Sequence, residues 1–225
     1  FVSVSSINNG QQLSSKKCFI LPDNDNITAD NLQFMEYANY VKRALELKGF
    51  TFVNNGVDCD YAVFLLYGMG EPEEHHYTYM QSIYGQTGVS SANTYGTINT
   101  YGNSATYSST TTYTPTYGVV GVVPMQGNYI TFTRYARISA VDVKEYKKTG
   151  KIKEMWTTII ISTGSSGDLR RVFPVMIAAA QKYLGENTGS FKEIKIDEDS
   201  KKVKLIKGLK SEKSNDDDDE DDDDD

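Results

Sequence analysis

Both histidines of the chain lie in one acidic stretch, Glu71-Pro72-Glu73-Glu74-His75-His76. Carboxylates beside imidazoles suit Zn²⁺ or another transition metal. Glu73, Glu74, His75 and His76 are therefore the metal-ligand candidates. Adjacent residues on a loop rarely converge on one ion, and a solvated loop accounts for the same residues. A Ser-His or Cys-His mechanism would have to take its base from this pair, and no fixed partner stands beside it.

The two cysteines, Cys18 and Cys59, each mark the start of a β-forming run. One reading is a disulfide joining neighbouring strand ends in an oxidising compartment. The other is two small, half-buried thiols. Sequence spacing does not fix the geometry that would separate them.

The motif search is negative for the nucleophile elbow, the zinc-protease pair, C-x-x-C, the P-loop and the dinucleotide fingerprint. Gly164-Ser165-Ser166-Gly167 precedes a helix and would turn N–H groups toward an anion. No P-loop lysine follows it, and a plain helix-entry loop explains it. No enzymatic activity and no cofactor is expected.

The formal net charge of the 225 residues is -7, yet Asp216 to Asp225 alone are ten acids. Without them the body carries about +3, far from a nucleic-acid-binding pattern, and no nucleic-acid partner is expected. Residues 210–225 read as a disordered acidic tail. No apolar run reaches the length of a spanning helix.

The elements that would position these groups follow from periodicity. Strands are expected over Phe1–Ser6, Lys17–Leu21 and the unbroken apolar run Tyr61–Tyr67, which reads as buried on both faces and central. A helix opens at Asp30 as N-cap, with Leu32, Met35, Ala38, Val41 and Leu45 on one stripe, and closes at Gly49. A long hairpin follows over Tyr129–Thr163, dense in Ile, Val, Thr and Tyr, with its tip at Lys147–Lys151 and Gly150 supplying a positive φ. A second helix runs from Asp168 to Leu184, kinked or started at Pro174. A last hairpin pairs Phe191–Ile196 with Lys202–Ile206. The expected fold is thus α+β: a mixed, mostly antiparallel sheet with two helices packed on one face, Trp156 on the helix side. Residues 1–209 read as a single domain with an insert over 69–128.

That insert is low-complexity, and Thr-Tyr recurs every six residues at Thr94-Tyr95, Thr100-Tyr101, Thr106-Tyr107 and Thr112-Tyr113. In an extended strand, even spacing places Tyr95, Tyr101, Tyr107 and Tyr113 on one face. The tract is β-prone, and these tyrosines are the interaction candidates. A mobile, Tyr-spotted loop is the competing reading.

The order of elements resembles that of small bacterial envelope lipoproteins carrying an uncharacterised α/β domain. The signals are Lys17-Cys18-Phe19-Ile20-Leu21, Leu45-Glu46-Leu47-Lys48-Gly49-Phe50, Asp60-Tyr61-Ala62-Val63, Val141-Asp142, Gly150 with Trp156, and Asp168-Leu169-Arg170-Arg171-Val172-Phe173-Pro174. The resemblance implies a precursor with a signal peptide, a lipid anchor upstream of Phe1 and a domain on the periplasmic face or cell surface, anchored to the outer membrane. It implies no catalytic residues. The Tyr-rich insert and acidic tail depart from the pattern. The expected role is a non-enzymatic structural or assembly component acting through other envelope proteins or self-association. The alternative is a glycan- or peptide-binding module using the tyrosines.

Overall fold

The computed structural model describes residues 1–11 and 16–209. The chain divides into two compact units, a body of residues 1–73 and 130 onward, and a second unit, Glu74–Tyr129. The acidic tail 210–225 lies outside the described residues.

In the body, β1 (Val2–Asn8) buries Val2, Val4 and Ser6 in strict alternation. β2 (Lys17–Pro22) runs parallel to the two-residue β3 (Thr51–Phe52) and to β4 (Tyr61–Met69). β5 (Glu73–Tyr101) pairs with β6 (Ser104–Asp142). From Arg134 to Asp142, β6 is antiparallel to β4, and from Phe132 to Val141 it is antiparallel to β7 (Glu154–Gly164). β1 pairs antiparallel with β7 and with β8 (Lys192–Ile194). The path is β3-β2-β4-β6-β7-β1-β8, with β5 attached to β6.

The helix face of β4 carries Tyr61, Val63, Leu65 and Tyr67, all buried, while Phe64 and Leu66 on the other face are half-buried. Against the first face lie α1 (Leu32–Glu46), α3 (Leu169–Ala180) and α4 (Lys201–Lys207), which also contact one another. Tyr37 of α1 stacks on Phe173 of α3 at 4.2 Å, and Tyr67 meets Tyr37 edge-on at 4.7 Å. Such contacts add specificity to the area they bury.

The expected fold, an α+β domain with two helices on one face, does not hold. Among the described residues the sheet has eight strands, β5 and β6 dominate it, and there are four α-helices. The expected hairpin tip is instead α2 (Val143–Thr149). Asp142 caps it, its carboxylate accepting from Glu145 N at 2.9 Å, and Gly150 (φ 70°) ends it. The glycine's positive φ serves a helix C-terminus rather than a turn. Lys202–Ile206 is also helical. Ser200 caps α4, and Val203 and Ile206 are buried while Leu205 is exposed, a three-residue period that defeats the strand reading.

In α1 the cap is Asn31, which accepts from Phe34 N at 3.1 Å, not Asp30. The buried stripe is Phe34, Tyr37, Ala38, Val41, Ala44 and Leu45, leaving Leu32 and Met35 exposed. α3 starts at its Asp168 cap and continues through the buried Pro174 to Ala180.

Candidate interaction surface

The second unit is a hairpin closed by the two-residue loop Gly102-Asn103. Gly102 takes φ 61°, as the first position of a type II′ turn requires. Hydroxyl groups meet across the strands: Thr94 with Thr111 at 2.9 Å, Ser91 with Thr114 at 3.1 Å, and Thr87 with Thr116 at 3.2 Å.

These contacts fix which side chains share a face. Beyond Gly85, odd residues of β5 face even residues of β6, as in Ser91–Thr114 and Gly85 beside Val120. Nearer the ends of the unit, His75 stacks on Tyr129 at 4.9 Å and Tyr77 lies over Gly127, odd with odd. The pairing therefore shifts by one residue between Tyr77 and Gly85, a β-bulge.

The turn divides the four candidate tyrosines. Tyr95 and Tyr101 stand on β5, Tyr107 and Tyr113 on β6, and the loop reverses the parity. Tyr107 lies over Gly96, on the face opposite Tyr95. The expectation of one four-tyrosine face assumed a single strand and is corrected. All four rings are exposed.

Three properties mark this unit. From Tyr77 to Thr133 the sequence runs 57 residues without Asp, Glu, Lys, Arg or His, where an ordinary domain would place about a quarter charged. None of the buried hydrophobic core residues lies between Glu74 and Tyr129. Among the described residues β5 pairs with β6 alone, so its outer edge carries unused N–H and C=O groups.

Glu73, Glu74, His75 and His76 open β5 rather than a loop. Alternation sends Glu73 and His75 to one face and Glu74 and His76 to the other, which prevents convergence on one ion. Glu74 accepts from Asn128 at 2.6 Å, and no metal-ligand cluster occurs among the described residues.

Cys18 and Cys59 are both free and buried. Cys18 faces the helices, and Cys59 Sγ donates to Gly56 O at 3.2 Å. Burial raises the pKa of Cys59 and, with Cys59 and Asp60 nearby, pushes Cys18 up to about 12. Both are held as thiols, which are poor nucleophiles.

Cys59 lines an apolar cavity of about 410 Å³ on the sheet face away from α1, with Phe19, Leu21, Phe64, Val143, Tyr146 and Ile152. At the Gly164–Gly167 loop, a residue passed over in the sequence takes the central place. Arg134 is buried and donates to Ser162 O at 3.2 Å, Ser162 Oγ at 3.1 Å and Ser166 O at 2.7 Å. Asp168 caps the α3 N-terminus, where an anion would otherwise sit. The only signal for Arg134 was a charge inside a β-forming run.

No protein-family model and no curated protein matches the chain. Among solved structures, a PDZ domain protein from Parabacteroides distasonis ATCC 8503 is similar at TM-score 0.37 and 12% identity. The match covers 85% of this chain, which spans 37% of that one.

Proposed function

We propose that this chain is a non-enzymatic structural or assembly component of a bacterial cell envelope, and that it assembles with copies of itself through the Glu74–Tyr129 hairpin. The envelope setting, with a lipid anchor upstream, rests on the sequence resemblance. The assembly role rests on one observation: a long hairpin with an unused edge and no charged residue from Tyr77 to its loop and back to Thr133. Natural proteins guard exposed edges with charges, prolines or covering elements. β5 carries none of these from Tyr77 to its loop, and Pro115 and Pro124 lie on β6. An isolated two-stranded ribbon is marginal in water, so the hairpin is completed by pairing with another strand.

A glycan or peptide platform of four tyrosines is less well supported, because the turn places the rings on two opposite faces.

The test replaces residues 78–126 with an Asn-Gly turn and compares both proteins by light scattering. The full chain forms oligomers. The shortened chain is monomeric with an unchanged melting transition, since the hairpin contributes nothing to the buried core. Equal assembly by both proteins, or a full chain that stays monomeric, refutes the reading.

A further inference from the structure

We infer that the assembled hairpins cross a lipid bilayer, with the odd-numbered face of β6 turned to the hydrocarbon. This rests on the assembly reading above.

On β6, residues 113 to 129 taken at every second position read Tyr113, Pro115, Tyr117, Val119, Gly121, Val123, Met125, Gly127 and Tyr129. A strand alternates its side chains, so these share one face. Along β6 this row holds no amide, acid or base, and its only polar groups are the tyrosine hydroxyls toward its two ends; β5 adds His75 beside Tyr129 and, beyond Gly85, Gln86 and Ser90 to the same face. The opposite row begins with Thr112, Thr114 and Thr116, passes through Gly118, Val120, Val122 and Pro124, and ends with Gln126 and Asn128, so the two rows differ at their ends and not in the middle. Val119, Val123 and Met125 on this row, and Val120 and Val122 on the other, are all exposed despite their apolar character.

The dimensions agree with a bilayer. Tyr117 to Tyr129 is twelve steps along the strand, about 40 Å at ~3.3 Å per residue. At the ~45° tilt of a membrane strand this becomes about 28 Å along the normal, close to the ~30 Å hydrocarbon core. Tyrosines stand at both limits: Tyr113 and Tyr117 at one, Tyr129 with Tyr77 beside it at 6.1 Å at the other. Aromatic girdles at the two interfaces flank the apolar band of membrane barrels.

The remaining features meet the same demands. Hydrocarbon tolerates no open sheet edge, so a spanning hairpin must be closed by others into a ring. Edges without charges allow that closure. A tip with no charged side chain, from Val89 to Thr116, passes through a bilayer more easily than an ordinary loop.

The experiment mixes the full chain with vesicles of phosphatidylethanolamine and phosphatidylglycerol, floats them on a density gradient and washes them with alkaline carbonate. Two single variants accompany it, Val123→Arg on the lipid face and Val122→Arg on the other. The wild type floats and resists the wash. Val123→Arg reduces the floating fraction at least about tenfold, while Val122→Arg stays near wild type, because lumen positions accept charge. Oligomers that remain in the aqueous fraction overturn the bilayer inference and leave the assembly reading standing. A monomer that remains in the aqueous fraction overturns both. Equal behaviour of the two variants overturns the assignment of the faces.

Discussion

The ring of Tyr107 lies over Gly96 on the neighbouring strand, so close that a Cβ at Gly96 would stand 2.5 Å from ring atom Cε2. The glycine is needed there for close approach rather than for backbone freedom, since its φ is not positive. The ring fills the gap that the missing side chain leaves. Gly96→Val should push Tyr107 off the ribbon and remove a cross-strand contact of about 1 kcal/mol. Amides flanking Gly96 and Tyr107 should then exchange about fivefold faster by hydrogen-exchange mass spectrometry. The body's exchange should not change. Unaltered hairpin exchange would show that the ring carries none of the pairing energy.

Trp156 is buried at 3% exposure on the helix side of β7, across from Ala140, with Gly185 packed beneath the indole. A cavity of that size does not collapse. Trp156→Ala should therefore cost about 3–5 kcal/mol in urea unfolding. Native emission should be blue-shifted and resist acrylamide quenching. A red-shifted, readily quenched tryptophan would contradict this packing.

Arg134 ties β6 to the loop before α3 through oxygens of Ser162 and Ser166, and burial holds its pKa below the usual arginine value. Arg134→Met preserves much of the stem but leaves these buried acceptors without donors. The expected loss is about 2–3 kcal/mol. Arg134→Lys should not restore it, because one ammonium cannot reproduce the planar fork. Denaturant midpoints of the three proteins decide this. Full recovery with lysine would mean that charge alone matters at the site.

Where local chemistry and burial agree, the sequence was readable. Val2 and Val4 alternate as a strand, Asp168 caps α3, and Tyr61–Tyr67 lies between a parallel and an antiparallel neighbour. The pattern is ambiguous where one residue suits two elements. Gly150 suits a hairpin turn and a helix end equally, and only the Asp142–Glu145 cap selects the helix. Val203, Leu205 and Ile206 fit periods of two and three, and the Ser200 cap decides. The single tyrosine face fails for a different reason: a Gly-Asn pair inside a Gly- and Asn-rich tract does not stand out as the turn, and that turn inverts the parity of every tyrosine after it. Arg134 was invisible because its partners are backbone oxygens, which no side-chain pattern records.

Cys18 gives the chain a defined alkaline weakness. Its thiol is fully buried, and burial first, then Cys59 and Asp60, push its pKa up from an ordinary 9.0 to about 12. Below pH 9 the thiol is protonated whether the chain is folded or not, and its contribution to stability is complete. Between about 9 and about 12 the unfolded chain releases this proton while the folded chain keeps it, so stability falls as pH rises through that window. Tyr37 and Tyr67, whose pKa values are also raised by burial, act in the same direction at higher pH. Cys18→Ala removes the thiol's share, so its urea midpoint should decline less steeply than wild type from pH 9 upward, while the two slopes agree at neutral pH. Alkylation supplies an independent check. The native protein should react slowly with iodoacetamide near neutral pH, and the unfolded protein, without reductant, should take up two equivalents at Cys18 and Cys59. Parallel alkaline slopes would remove Cys18 as the cause, and no uptake after unfolding would reveal a disulfide in place of the two free thiols.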